Sequence, residues 1–61
     1  MYKVYDMEYD PMKLTYVATL SEAGLEAFID AHVIDADDVQ IQLEDSDVAY
    51  YEYWMIKRVG A

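Results

Sequence analysis

Carboxylates are the one reactive group that this chain carries in quantity. Asp and Glu account for 13 of its 61 residues, against four Lys or Arg and one His, and the formal net charge is −9. Such side chains serve paired-acid catalysis, bind hard cations through oxygen, or imitate the phosphates of a nucleic acid. Most of the acids fall into three groups: Glu22, Glu26 and Asp30; Asp35, Asp37 and Asp38; and Glu44, Asp45 and Asp47. Their spacing and their neighbours decide among the three chemistries.

The other components of a catalytic or metal site are scarce. His32 is the only imidazole, and because no nucleophile or base can be identified beside it, we expect a structural role at a helix end. Neither acidic segment, 35–38 or 44–47, has the glycine and distal glutamate of an EF-hand loop. The absence of cysteine excludes a cysteine-based zinc site. We therefore predict no enzymatic activity, no metal and no cofactor.

The first acidic group has a regular spacing. Glu22, Glu26 and Asp30 occur at i, i+4 and i+8, so on a helix they lie roughly 6 Å apart along the axis, comparable to neighbouring phosphates on a nucleic-acid strand. No Lys or Arg is interleaved, although like charges at this spacing destabilise a helix. A surface that serves solubility alone normally mixes both signs. The spacing favours a carboxylate array that replaces a phosphate backbone, and a merely solvated acidic face is the alternative.

Aromatic residues are the second unusual feature, because the chain has seven tyrosines, one tryptophan and one phenylalanine. Affinity in a compact interface comes mainly from a few buried aromatic anchors. The candidates for partner or dimer contacts are Phe28, Tyr2, Tyr50 and Trp54. The alternative is that these residues shield a sheet edge or, for Phe28, fill the core.

The first half of the chain predicts a hairpin followed by a helix. Residues 2–9 and 13–20 alternate in the manner of strands, and Asp10 and Pro11 supply the turn between them. Ser21 is a good helix N-cap, and apolar residues recur at helical spacing over residues 22–33.

The second half predicts two further strands. Val39, Ile41 and Leu43 alternate with polar residues, which indicates a third strand, and residues 48–59 indicate a long fourth strand. The register of this last hairpin is open, and we favour the one that buries no carboxylate, with Ala49, Tyr51 and Tyr53 beside Leu43, Ile41 and Val39. The expected fold is α+β: a ββαββ antiparallel four-stranded sheet with one helix packed on one face.

Length and composition limit the class of protein. A chain of 61 residues suits a single domain over 1–61, and 56% hydrophobic residues exceed what a disordered acidic tail contains. Without disulfides, dimerisation would be a substitute source of stability. We find neither a signal-peptide pattern nor an apolar stretch of about 18 residues, so a cytoplasmic protein is expected. Its charge repels nucleic acid and anionic membranes and attracts basic proteins.

The order of these elements resembles a known family. A tyrosine-bearing strand, a strand ending in Leu20-Ser21, a helix containing Phe28 and the segment Asp38-Val39-Gln40-Ile41-Gln42-Leu43 are similar to the small uracil-DNA glycosylase inhibitors of Bacillus phages, over residues 2–43. The resemblance implies an acidic homodimer that mimics DNA and inserts an aromatic side chain into the DNA-binding cleft of the enzyme. Phe28 would be that aromatic residue, with Glu26 and Asp30 as its acidic neighbours.

Our leading hypothesis is therefore a phage or mobile-element protein of the host bacterial cytoplasm. It would inhibit a basic nucleic-acid-binding host enzyme by occupying its DNA site, without binding nucleic acid or membrane itself. An anti-CRISPR or anti-restriction inhibitor that blocks a defence nuclease complex is one alternative. A non-mimic interaction module or an oligomer is the other.

Overall fold

The chain forms a four-stranded antiparallel sheet with two helices packed on one of its faces, in a computed structural model that describes residues 1–8, 10 and 12–60. The elements are β1 (Tyr2–Asp6), β2 (Thr15–Leu20), α1 (Glu22–Ala31), α2 (Ala36–Ser46), β3 (Val48–Tyr51) and β4 (Trp54–Arg58). The sheet order is β2–β1–β4–β3. The α+β class and the four-stranded antiparallel sheet are confirmed, whereas the prediction of a single helix is wrong.

The first hairpin is confirmed, with shorter strands than predicted. β1 pairs antiparallel with β2, with a bulge opposite Val4 and Tyr5. In the turn, the Asp10 carboxylate accepts a hydrogen bond from the backbone N–H of Met12 at 3.0 Å, as expected of an aspartate in that position. Tyr9 of the predicted strand and Pro11 of the predicted turn lie outside the described residues.

Helix α1 begins as predicted and ends two residues early. The Ser21 hydroxyl accepts a hydrogen bond from the Gly24 N–H at 3.2 Å. At the other end the Val33 N–H reaches the Asp30 carbonyl at 3.3 Å and the Ile34 N–H reaches the Ile29 carbonyl at 3.0 Å. These two bonds form a Schellman motif, in which the chain turns through a left-handed residue. That residue is Val33, with φ of 54°, so the helix stops before it.

The predicted third strand is wrong, because residues 39–44 belong to helix α2. Val39 and Leu43 are buried, whereas Ile41 between them is 65% exposed, so the buried positions repeat every four residues rather than every two. Asp35 caps the helix, since its carboxylate accepts hydrogen bonds from the Asp37 and Asp38 N–H groups at 3.1 and 3.3 Å. Since a short apolar run fits either period, the cap at Asp35 was the signal for a helix.

The predicted long fourth strand is instead two strands. β3 and β4 pair antiparallel through a two-residue loop, Glu52 and Tyr53. Glu52 has φ of 52°, a value that hairpin turns usually obtain from Gly or Asn. Neither residue occurs in this loop, so the turn could not be recognised from the residue types. The register predicted between residues 39–43 and 49–53 is wrong, because β3 pairs with β4.

The core lies between the sheet and the two helices. Val4, Ile56 and Ala49 stand side by side on β1, β4 and β3, and all three are fully buried. They form one apolar cluster with residues of the helices and of the turn between them: Leu25, Ile34, Val39 and Leu43. Within the described residues, neither helix is long and apolar enough to cross a membrane.

Candidate partner-binding surface

All nine acidic residues predicted to bind a partner lie on or beside the two helices, and all nine are exposed. We call this surface the acidic helical layer. It comprises Glu22, Glu26 and Asp30 on α1, Asp37, Asp38, Glu44 and Asp45 on α2, and the cap residues Asp35 and Asp47. The second and third groups were predicted at opposite ends of a strand, and they flank the ends of α2 instead. Because residues 36–46 form a helix rather than a strand, all three acidic groups lie on the same side of the sheet.

Three of the nine acids have structural partners, and one of them is Glu44, whose carboxylate accepts a hydrogen bond from Gln40 Nε2 at 3.4 Å. Asp35 caps α2, as described above. Asp47 ends the same helix in a left-handed conformation, with φ of 61°, and its carboxylate lies 2.9 Å from a guanidinium nitrogen of Arg58. The other acids of the layer form no ion pair with any residue that the structure describes. Their charges are therefore available to an external partner.

An open groove of about 410 Å³ runs between α1 and α2 within this layer. Its floor is apolar and contains the buried side chains of Leu25, Val39 and Leu43. Its lining includes the exposed acids Glu22, Glu26 and Glu44, together with Tyr2, Ile29, Ala36, Gln40 and Arg58. The sequence did not suggest this groove, because it required a second helix. Apolar and acidic groups are thus combined in one depression.

A second, more open depression adjoins the groove along α1. The two share Glu26, Ile29 and Ala36. Val33 lines the second depression and is 86% exposed. The apolar floor of the groove is therefore continued by an exposed valine at the turn between the helices.

The four aromatic candidates do not form one surface. Trp54 is 9% exposed and its ring packs against Phe28 at 5.0 Å, so the prediction that Trp54 faces water or a partner is wrong. Phe28 is half-buried and packs against the core, in agreement with the core alternative. Tyr2 is half-buried in the groove lining. Tyr50 alone is well exposed, and it lies on β3 at the other face of the sheet.

His32 extends the aromatic packing around Trp54. The centroid of its ring lies 4.1 Å from the Phe28 ring centroid and 5.1 Å from the Trp54 ring centroid. Its Nδ1 atom lies 2.9 Å from the Phe28 carbonyl oxygen. These contacts tie the end of α1 to β4, and they fit the structural role predicted for this residue.

The face of the sheet that the helices leave uncovered has a different chemistry. The register places Tyr16, Tyr5, Met55 and Tyr50 in one row across all four strands. In the next row Lys3 stands directly opposite Lys57. Sequence reasoning missed this face because the row depends on the pairing of β1 with β4, which lie at opposite ends of the chain. Two of the four basic residues are thus separated from the acidic helical layer by the sheet.

Among residues 1–8, 10 and 12–60, no three acidic or histidine side chains are arranged to hold a metal ion. The exposed acids and the groove offer charge and apolar contact area. Comparison of the chain with protein-family models, with curated proteins and with solved structures finds no match.

Proposed function

We propose that this protein is an inhibitor that occupies the nucleic-acid site of a basic protein with its acidic helical layer. The observation that carries the proposal is the segregation of charge. Nine exposed carboxylates lie on the helical side, where the only basic side chain among the described elements is Arg58, already paired with Asp47. Lys3 and Lys57 lie on the opposite face of the sheet. A basic cleft would therefore meet a surface of nearly uniform sign.

Charge and apolar contact would contribute differently to such binding. Carboxylates on one face accelerate association with a basic cleft and orient the encounter. They add less to affinity, which depends on apolar groups that are buried at the centre of the interface. The groove between α1 and α2 supplies such groups next to the acids.

The targets to test first are nucleic-acid enzymes of the bacterial cytoplasm. The resemblance to uracil-DNA glycosylase inhibitors makes that glycosylase the first choice. CRISPR and restriction nucleases are the next, since they also hold DNA in basic clefts. If the protein does not inhibit uracil excision in a direct assay, the glycosylase is excluded as the target and the wider proposal still stands.

A competition experiment tests the wider proposal. The chain is used as bait in a bacterial lysate, and the captured protein is then challenged with double-stranded DNA at moderate salt. We expect DNA to release a nucleic-acid-binding protein. A captured protein that does not bind nucleic acid, or that DNA fails to displace, would contradict the proposal.

A charge variant shows whether the layer carries the binding. Replacing Glu22 and Glu26 by Gln and Asp30 by Asn should weaken capture and reduce its salt dependence. The control is Glu8→Gln with Glu52→Gln, because both residues are exposed and lie outside the layer. Equal losses in the two variants would indicate an effect of net charge alone.

A second candidate function is a protein-interaction module that uses the uncovered face of the sheet. Tyr16 and Tyr50, both more than half exposed on that face, favour it, because exposed aromatic side chains are available as anchors. Under this alternative, Tyr50→Ala abolishes capture and the charge variant leaves it unchanged.

A further inference from the structure

We infer that the groove between α1 and α2 binds a basic amphipathic helix of the partner. This inference rests on the proposed function, and it names the part of the partner that the acidic helical layer recognises. The helix would place apolar side chains on the groove floor and Lys or Arg side chains against its acidic lining.

The floor of the groove provides the apolar half of the site. Leu25 of α1 and Val39 and Leu43 of α2 belong to the core and are at most 6% exposed. The more accessible apolar surface of the groove comes from the half-buried Ile29 and Tyr2. An amphipathic helix binds such a groove through residues at i, i+3, i+4 and i+7. The exposed Val33 beside the groove would extend this contact.

The lining provides the charged half. Glu22 and Glu26 of α1 and Glu44 of α2 are exposed in the groove. The one cation in the lining, Arg58, is held 2.9 Å from Asp47. Lys and Arg pack their aliphatic stems on apolar surface and keep the charged end at the rim. The two sets of groups therefore match the two faces of a basic amphipathic helix.

Charge also argues against other occupants. Nucleic acid and anionic membrane would bring further negative charge to three glutamates. A second copy of this chain that docked through its own helices would bring acids and no Lys or Arg between Glu22 and Ser46. A partner with a basic helix is the occupant that relieves the repulsion.

Conformational strain at the edge of the site agrees with this assignment. Val33 has φ of 54°, a left-handed conformation that β-branched residues rarely adopt. Its side chain is 86% exposed, so it gains little from burial in the free protein. A valine at this position is unfavourable for the isolated chain, and such outliers tend to occur at functional sites.

A peptide titration tests the inference on the full chain. The probe is a 14-residue acetylated and amidated peptide of Leu and Lys, with leucines at i, i+3, i+4 and i+7 spacing. A scrambled peptide of the same composition carries the same charge without the apolar stripe. We expect the patterned peptide to bind at least about tenfold more tightly by calorimetry. It should shift the amide resonances of Leu25, Val39 and Leu43.

Matched variants distinguish the effect of the groove carboxylates on peptide affinity from the effect of overall net charge. Glu26→Gln with Glu44→Gln should weaken the patterned peptide about fivefold to tenfold, which corresponds to roughly 1 kcal/mol. Glu8→Gln with Glu52→Gln removes the same charge away from the groove and should change affinity less than about twofold. Equal effects of the two double variants would overturn the inference.

The remaining outcomes distinguish this inference from the proposed function. Equal binding of the patterned and scrambled peptides would overturn the groove site, while release of the captured partner by DNA would still support the function. Peptide binding in the groove without such release would support the site and contradict the function. Concentration-dependent shifts of the groove resonances without peptide would identify a second copy as the occupant and overturn the inference.

Discussion

Helices α1 and α2 are similar in length and in acidity, yet they are attached to the sheet in different ways. α1 buries Leu25, while α2 buries both Val39 and Leu43. α2 also holds the edge strand β3 through the Gln42 side chain. Its Nε2 donates to the Tyr50 carbonyl at 3.0 Å, and its Oε1 accepts from the Tyr50 N–H at 2.9 Å.

The difference in attachment to the sheet suggests that the two helices bordering the groove have different roles. The Gln42 amide satisfies the edge of β3 much as another strand would, which protects that edge from pairing with other chains. α2 is therefore the anchored side. α1 carries the regular acidic spacing and is followed by the strained Val33, so the features that point to a partner are more concentrated on and beside α1.

The largest effect should come from the core contacts of α2. Leu43→Ala removes a side chain that is 4% exposed, and we expect it to lower the free energy of unfolding by about 3 kcal/mol, because a buried cavity remains. Ile41→Ala, at a position that faces solvent, should cost less than about 0.5 kcal/mol. Urea denaturation measures both. Similar losses would mean that residues 39–44 form a strand with Ile41 buried, which would remove α2 from the comparison.

The Gln42 contact can be removed alone. Gln42→Ala deletes both hydrogen bonds to Tyr50, and we expect a loss of about 1 to 2 kcal/mol in stability. Hydrogen exchange of the Tyr50 amide should become faster. Gln40→Ala is the matched control, because within the described part of the chain the Gln40 side chain hydrogen-bonds only to Glu44 of its own helix, at 3.4 Å. Unchanged exchange at Tyr50 would show that α2 is no better anchored than α1.

The N-caps of the two helices should prove similar in strength. Asp35→Ala and Ser21→Ala each remove a side-chain acceptor for backbone N–H groups, and each should cost about 1 kcal/mol by thermal or chemical denaturation. Asp35→Asn retains the acceptor and should cost less. A negligible effect of Asp35→Ala would argue that packing alone decides where α2 begins.

The smallest change should be a gain in stability at the end of α1. Val33→Gly relieves the left-handed strain and loses little buried surface, so we expect the free energy of unfolding to rise by up to about 1 kcal/mol. If the groove binds a basic helix, the same variant should weaken the patterned peptide although the protein is more stable. A loss of stability instead would mean that Val33 makes contacts in the free chain.

The two helices also differ in how far their sequences specify them. α1 was predicted because Ser21, the apolar spacing through Leu25 and Phe28, and the length of the pattern all agree. α2 was missed because Val39, Ile41 and Leu43 alternate as in a strand, although only two of them are buried. The β3–β4 turn was missed because Glu52 adopts a positive φ without being Gly or Asn.

In the candidate site, too, some features could be predicted from the sequence and others could not. The nine acids of the helical layer could be named from the sequence, because surface carboxylates are identified by composition and spacing alone. The groove could not, since it requires α1 and α2 to lie beside each other on the sheet. Trp54 was assigned to the surface because the sequence does not show which strand lies at the centre of the sheet.

The sequence by itself determined the α+β fold class, the first hairpin, the start of helix α1 and the concentration of negative charge. These depend on local patterns that a few neighbouring residues specify. Only the tertiary structure decided that residues 36–46 are helical, that β1 pairs with β4, and that Lys3 and Lys57 lie on the side of the sheet opposite the acidic helical layer. The physical reason is that a short apolar run satisfies more than one period, and burial against distant parts of the chain selects between them.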